Sequence, residues 1–530
     1  MPRFLTLGLA FTVLLSVAGC SITRMEREVI PAEKLQSSER EAKVIQAHLL
    51  GGDLIVFETW ETSDTVIRGE GVRYDPLRTE FARGPQAIAL DSVGVFVADR
   101  EVAVPRTIIG MTILTGVSAA LTAACLSNPK SCFGSCPTFY QTTGERALLA
   151  EGYSASIAPS LEDRDVDRLA TLHQGGAYEL RMTNEALETH VTRRADLLAV
   201  PVASGGRAYF AGHGTNDGAF WATSAPASPS SCAAPEGDCT APLASADGIE
   251  RFSTSDSTDL AAKESLALTF RDVAPEARYG LAITGRQTLL TTFLVYQGLA
   301  YAGPDVGAWV AQAETRNRSG TPTTSPALDM VTRMPVEVKT ADGTWQEVGV
   351  VSETGPLARD AYLVVLPAGV SGDVEVRLRP TMGAWRIDAV SLVRLDAQVA
   401  PVRVSPSVVV REGEGGAPAA DADALADLTE DARQLVNLPG VALRLGYEVP
   451  LAPEGSSWDL FLESEGYYLE WMRDEWMVDH DPDALAHLLF SPEAALRDLA
   501  PMFKAMEAEM DAAFWASRFA APSAAPLPDF

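Results

Sequence analysis

Six cysteines and six histidines are the residues of this 530-residue chain whose spacing matters most for chemistry. Cys132 and Cys136 stand four positions apart across a Gly-Ser turn. Cys232 and Cys239 form a second local pair, inside a loop rich in Ser, Ala, Pro and Gly from Ser224 to Gly248. Outside the cytoplasm both spacings suit short-loop disulfides. Zinc is the sharper reading of four cysteines, but neither pair has the C-x-x-C spacing or a local histidine, so the sequence assigns no metal. His213 and Asp217 lie between Gly212 and Gly218, where they read either as an acid–base pair on a mobile loop or as a tight turn. Asp479, His480, Asp481 and His487 cluster as metal ligands do, yet Pro482 breaks the helical register that would align the two histidines. That cluster reads as a solvated charged loop. Glu412, Glu414, Asp421, Asp423 and Asp427 offer oxygens for calcium without the order of an EF-hand loop, and a flexible acidic linker accounts for them. No G-x-S-x-G, P-loop, G-x-G-x-x-G or H-E-x-x-H motif occurs, so no catalytic residue and no cofactor is assigned.

Cys125 is left unpaired inside an apolar segment, and the sixth cysteine to place is Cys20. Arg3 supplies a positive charge, Phe4 to Val17 forms an apolar stretch too short to span a bilayer comfortably, and small residues Ala18 and Gly19 precede Cys20. Residues 1–19 therefore read as a signal peptide. The run Leu15-Ser16-Val17-Ala18-Gly19-Cys20 resembles the lipobox of bacterial lipoproteins. The resemblance implies cleavage before Cys20, acylation of its thiol and new amino group, and a membrane partner reached through lipid. Several acyl chains, each contributing about 0.8 kcal/mol per buried CH₂, make such anchoring stable. Ser21 follows the cysteine, which in a Gram-negative host implies the outer membrane.

The elements around these residues read as mainly β with helical insertions. Residues 20–43 mix charges without apolar periodicity and read as a tether. Residues 44–105 alternate as a small β-domain, opening with the hairpin of Ile45, Ala47 and Leu49 against Leu54 to Phe57. Residues 106–129 hold an apolar helix from Thr107 to Leu126, about long enough to span a membrane, with Gly116, Ala120 and Ala124 on one small-residue face. It reads as packed or membrane-associated. Residues 130–411 form a β-rich sandwich region with a helical insertion at about 288–315. Residues 412–424 read as a linker, 425–519 as a C-terminal β/α segment, and 520–530 as a disordered tail. In the last helix Leu496, Leu499, Phe503, Met506, Met510 and Ala513 recur at three- and four-residue spacing, a narrow apolar seam expected to pack on the chain's own sandwich.

Composition limits the function. With 71 acidic against 42 basic residues the net charge is −29, which repels phosphate backbones and excludes nucleic acid as a partner. Val336 to Leu395, with Trp345 after the Asp342-Gly343 turn and a closing Trp385-Arg386-Ile387-Asp388 strand, resembles the galactose-binding or discoidin type of β-sandwich. Segments including Ser135 to Tyr140, Glu151 to Ile157 and Gly466 to Trp471 are similar to a group of uncharacterised bacterial envelope proteins. That likeness implies an architecture and a compartment only. The expectation is a lipid-anchored envelope protein, more a binder of polysaccharide or of an envelope protein than an enzyme. The alternative is an envelope hydrolase whose site is assembled from distant residues.

Overall fold

Alternation of side chains with period two sets most of this chain as strand. In Gly372–Leu378, Val374, Val376 and Leu378 are buried, while Glu375 and Arg377 turn out to form ion pairs with Lys339 and Glu337. A computed structural model describes residues 22–31, 42–49, 53–63, 65–74, 80–104, 136–142, 148–154, 156, 162–184, 188–212, 218–306, 326–352, 355, 358–412, 419–438, 441–470 and 479–519. The protein is mainly β with helical insertions, and its described strands lie in two units.

The smaller unit holds a six-stranded antiparallel sheet. Its spatial order is Ile22–Pro31, Val93–Val104, Ala42–Leu49, Leu54–Thr62, Val66–Tyr74, Glu80–Ala89. Ile45, Ala47, Ile55, Phe57, Ile67 and Phe96 form its apolar cluster. Residues 22–31 are thus an edge strand paired along Val95 to Val104, where the sequence suggested a tether. Charged residues are a usual defence of an edge, and they hide the strand from a periodicity reading.

The larger unit stacks four sheets. Sheet I includes Thr138–Gln141, Leu148–Glu151, Gly176–Thr183, Val408–Glu412 and Ala442–Val449. Sheet II is built on Asp163–His173, Glu188–Ala203 and Ser456–Glu470. The two face each other across Phe139, Leu180, Met182, Leu197, Leu443, Leu445, Leu460 and Leu462. Sheet III contains Arg207–Ala211, Ala219–Ala227, Arg278–Gln287, Asp360–Val365 and Trp385–Val399, which close into a ring through one parallel contact, Phe210 with Tyr362. Ala211, Trp221, Ala282, Leu363, Val393 and Leu395 cluster on one side of that ring. Sheet IV, with Leu266–Val273, Gly372–Leu378, Met334–Lys339 and Trp345–Val351, covers the other side as a second sandwich. Sheets II and III meet through Val166, Leu198, Val200, Phe210, Phe220 and Phe461.

The C-terminal segment is no separate domain. Ala442–Val449 pairs with Gly176–Thr183, and Ser456–Glu470 pairs with the whole of Glu188–Ala203, so 425–470 completes the first sandwich. The described residues of the stretch read as a linker, 412 and 419–424, belong to the same sandwich. They are the end of Val408–Glu412, a short strand at Ala419–Ala420, and the start of helix α3 (Ala422–Thr429), capped by Asp421 accepting from Ala424 N–H.

Five helices complete the described chain. α1 (Leu289–Ala302) is capped by Thr288 and followed by a 3-10 turn at Gly303–Asp305. α2 is Pro326–Thr332, α4 Pro482–Phe490 and α5 Pro492–Phe519. Leu496, Leu499 and Phe503 of α5 are buried against the second sandwich, and Phe503 packs on Phe293 of α1 with ring centres 5.1 Å apart. Met506 lies past that contact and is exposed. Among the described residues no helix is long and apolar enough to cross a membrane. The expected helix at 107–126, the signal peptide with Cys20, and the tail at 520–530 lie outside the described residues.

Candidate functional site

Two places gather polar side chains, one closed and one open. The closed one begins on Glu188–Ala203, where Glu188, His190 and Thr192 share a face by strand alternation inside a wholly buried run. His190 Nε2 hydrogen-bonds Glu188 Oε1 at 2.5 Å, and the same oxygen accepts the backbone N–H of Cys136 at 2.6 Å. Cys136 holds a left-handed backbone with φ 98°, a conformation that costs on the order of 1–3 kcal/mol for a residue with a Cβ. Its Sγ donates to Glu151 Oε1 at 3.6 Å. The other Glu151 oxygen accepts Ala358 N–H at 2.8 Å, and Gly355 lies so close that a Cβ there would stand 2.4 Å from that carboxylate. Gly355 is therefore seated on a buried glutamate.

Tyr153 joins this group to two further acids. Its hydroxyl hydrogen-bonds Thr192 at 2.6 Å, and its backbone N–H donates to Asp165 Oδ2 at 3.1 Å. Burial holds the Tyr153 hydroxyl well above the usual tyrosine range. Asp165 also accepts from Val166 N–H at 2.8 Å, but burial, and next the charge of Asp360, push its carboxyl up to about 7. Glu151, Glu188, His190, Asp165 and Asp360 are all at most 7% exposed. A thiol, an imidazole and carboxylates are the parts of a hydrolase. Here the imidazole faces Glu188 and the sulfur faces Glu151, and neither meets solvent.

The open place is a cleft of about 410 Å³ at the rim of sheet III, lined by Arg164, Gly218, Phe220, Gln398, Val399 and Pro401, with Ala219 and Ala400 between them. Phe220 pairs with Val399 across the sheet and packs edge-to-face on Phe461, ring centres 5.0 Å apart. Arg164 is ion-paired with Glu463, and its guanidinium lies 5.4 Å from the centre of the Phe210 ring. Glu463 also binds Arg403, which bridges to Asp196 at 2.6 Å. The two arginines hold its carboxyl below its usual range despite burial. Gln398 is exposed at the mouth. The cleft thus offers one neutralised cation, one amide and an apolar floor.

The residues singled out in the sequence fall as follows. Cys232 and Cys239 form a disulfide, with Cα atoms 4.9 Å apart. Cys132, the expected partner of Cys136, lies outside the described residues, as do Cys20, Cys125 and the loop residues His213 to Asp217. His480 and His487 are not brought together. His480 contacts Asp305 at 3.2 Å, and Asp481 caps α4 by accepting from Ala484 N–H. Of the acids near 412–427, Glu412 is held by Arg181, Asp421 by Arg411, and Asp423 and Asp427 by Arg433, while Glu414 lies outside the described residues. Trp458, Tyr467 and Tyr468, in the densest aromatic cluster of the sequence, are core residues. The Glu188-x-His190-x-Thr192 alternation at the start of the strand Glu188–Ala203 was the signal for the buried group, and a search for compact motifs passes over it.

No protein-family model matches the chain, and no curated protein does. Among solved structures, VP17, a capsid protein of bacteriophage P23-77, aligns with 57% of this chain and 95% of its own at 10% identity and a TM-score of 0.10, a likeness that carries no argument.

Proposed function

We propose that this chain is a bacterial envelope protein, anchored by lipid on Cys20, that binds a short stretch of envelope polysaccharide in the cleft beside Arg164 and Gln398. The observation that carries binding over catalysis is the separation of access from reactivity. Among the described residues the cleft holds no nucleophile and no unpaired carboxylate, while the grouped thiol, imidazole and carboxylates are closed to solvent. Hydrolysis needs an acid or base within hydrogen-bond reach of the reacting bond. A cleft of about 410 Å³ suits a few sugar rings, whereas a stable protein interface needs roughly 800 Å² from each side. The anchoring half of the reading rests on the lipobox residues Leu15 to Cys20.

Titration of the purified protein with defined envelope glycan fragments tests the cleft. Ala400→Trp, which fills it from an exposed position, is expected to abolish uptake without moving the melting temperature. Equal uptake by both proteins, or glycan turnover abolished by one His or Asp substitution, would reject the reading. Mass spectrometry tests the anchor: an acylated mature N-terminus at Cys20 is expected, lost in Cys20→Ala, and an unmodified cysteine rejects it.

A further inference from the structure

With 71 acidic against 42 basic side chains, many of the described arginines have a carboxylate beside them. Arg207 lies on Asp459, Arg286 on Glu250, and Arg359 on Asp388. Arg333 and Arg379, like Arg68, Arg271 and Arg497, make no such pair with a described residue, and they differ from those three in lying beside another cation. Among the described residues neither side chain makes an ion pair or hydrogen bond, although Arg333 is exposed and Arg379 only half-buried. The backbone brings both to a third cation. Lys263 bridges to Thr381, two residues beyond Arg379, and its Nζ donates to Arg333 O at 2.6 Å and Thr381 Oγ1 at 2.7 Å. Arg379 N–H in turn donates to Pro335 O at 2.9 Å, two residues beyond Arg333.

The charges do not cancel. Burial, and after it the positive charges of Arg333 and Arg379, push the Lys263 amine down to about 8. Glu264, the acid next in sequence, is taken by Arg251 and Ser253. Asp329, one helical turn before Arg333 on α2, is not ion-paired with it. Lys263 has a structural duty, since its ammonium binds the carbonyl that follows α2. An ammonium has three N–H donors, however, and two are used here. Two guanidinium forks and one remaining ammonium donor are the recognition chemistry of a tetrahedral oxyanion.

We infer that Lys263, Arg333 and Arg379 form a receptor for a phosphate group, carried either by a small solute or by a lipid headgroup. The site shares no residue with the cleft and does not depend on the glycan reading. Its test uses the full chain at low salt, where exposed charges are least screened. Inorganic phosphate and pyrophosphate are titrated against the wild type, Arg333→Gln, and the double variant Arg333→Gln/Arg379→Gln. In parallel, co-sedimentation is measured with phosphatidylcholine vesicles containing or lacking phosphatidylglycerol. Arg394→Gln, which removes an exposed arginine already paired with Asp396, serves as the charge control. Saturable binding that weakens at least tenfold in the double variant and about threefold in Arg333→Gln supports the site, with Arg394→Gln unchanged. Loss in the phosphate arm alone assigns a small solute, and loss that includes the phosphatidylglycerol arm assigns a headgroup. If neither arm separates the wild type from Arg333→Gln, whose altered side chain is at the surface, the inference is overturned.

Discussion

The two sandwiches of the larger unit solve the same packing problem with different interiors. The second is apolar inside, from Leu266 and Phe270 through Val376 and Trp385, with its buried charges matched in pairs such as Arg286 with Glu250 and Arg251 with Glu264. The first puts Glu151, Glu188, His190 and Asp165 among its buried residues and joins them by hydrogen bonds to backbone N–H groups of Cys136, Tyr153 and Ala358. Apolar packing tolerates small slips, while a buried carboxylate is satisfied in one arrangement only. The difference teaches that the first sandwich draws its alignment from polar contacts and the second draws its stability from area.

Substitutions test that contrast, the largest effects first. Trp385→Ala should cost the second sandwich about 3 to 5 kcal/mol, since Trp385 is 3% exposed and packs edge-to-face on Tyr362, and denaturant unfolding measures it. Glu188→Ala should cost a comparable 3 to 5 kcal/mol by leaving buried partners unmatched, and Glu188→Gln distinctly less. If Glu188→Ala unfolds no more easily than a surface substitution, the polar interior is not what aligns the first sandwich.

Asp165 gives a pH test of the same idea. Its carboxyl is held up to about 7 in the folded protein against 3.8 as the ordinary value, so the folded state keeps its proton longer than the unfolded one. The contribution to stability is full below the ordinary value and is lost as pH rises through about 7. Asp165→Asn, a mimic of the protonated form, should flatten the pH dependence of Tm between pH 5 and 8, an effect on the order of 3 kcal/mol at its upper bound. A wild type that gains stability over that range, with the variant unchanged, rejects the assignment.

Removing the Cys232–Cys239 disulfide, which closes a loop of sequence separation 7, should cost about 2.5 kcal/mol on loop entropy. Reduction followed by thermal melting reads that loss in the second sandwich alone. Lys339→Ala should have the smallest effect, under about 1 kcal/mol, because its ion pair with Glu375 is solvent-exposed.

Much of the second sandwich was legible in the sequence, because its patterns are local. The alternation at 374–378, the turn at Asp342-Gly343 with Gly343 at φ 85°, the burial of Trp385 and the cysteine pair at 232 and 239 all stand in the structure. The first sandwich was legible only as separate strands. Nothing local in Glu188–Ala203 states that its neighbour is Ser456–Glu470, since pairing is decided by register and burial over a long separation. The buried group was missed for the same reason: Cys136, Glu151, Glu188 and Ala358 are adjacent only after folding. The 22–31 strand was missed because charges at Arg24, Glu26, Arg27 and Glu28 mask an edge.

The pairing of Ala203 with Ser456 also sets an order of assembly. These two residues form the tip of one long hairpin, and about 250 residues are inserted there, the second sandwich's sheets followed by strands and helix α3 of the first. Closing that gap directly, rather than a turn of about four residues, is roughly six doublings of loop length and costs about 3.6 kcal/mol more in chain entropy. A chain that collapses the insert first brings Ala203 and Ser456 together as neighbours and avoids most of that cost. During synthesis from the N-terminus, Glu188–Ala203 must therefore wait for its mate. Until residue 470 emerges, the longest pairing of that strand cannot be completed.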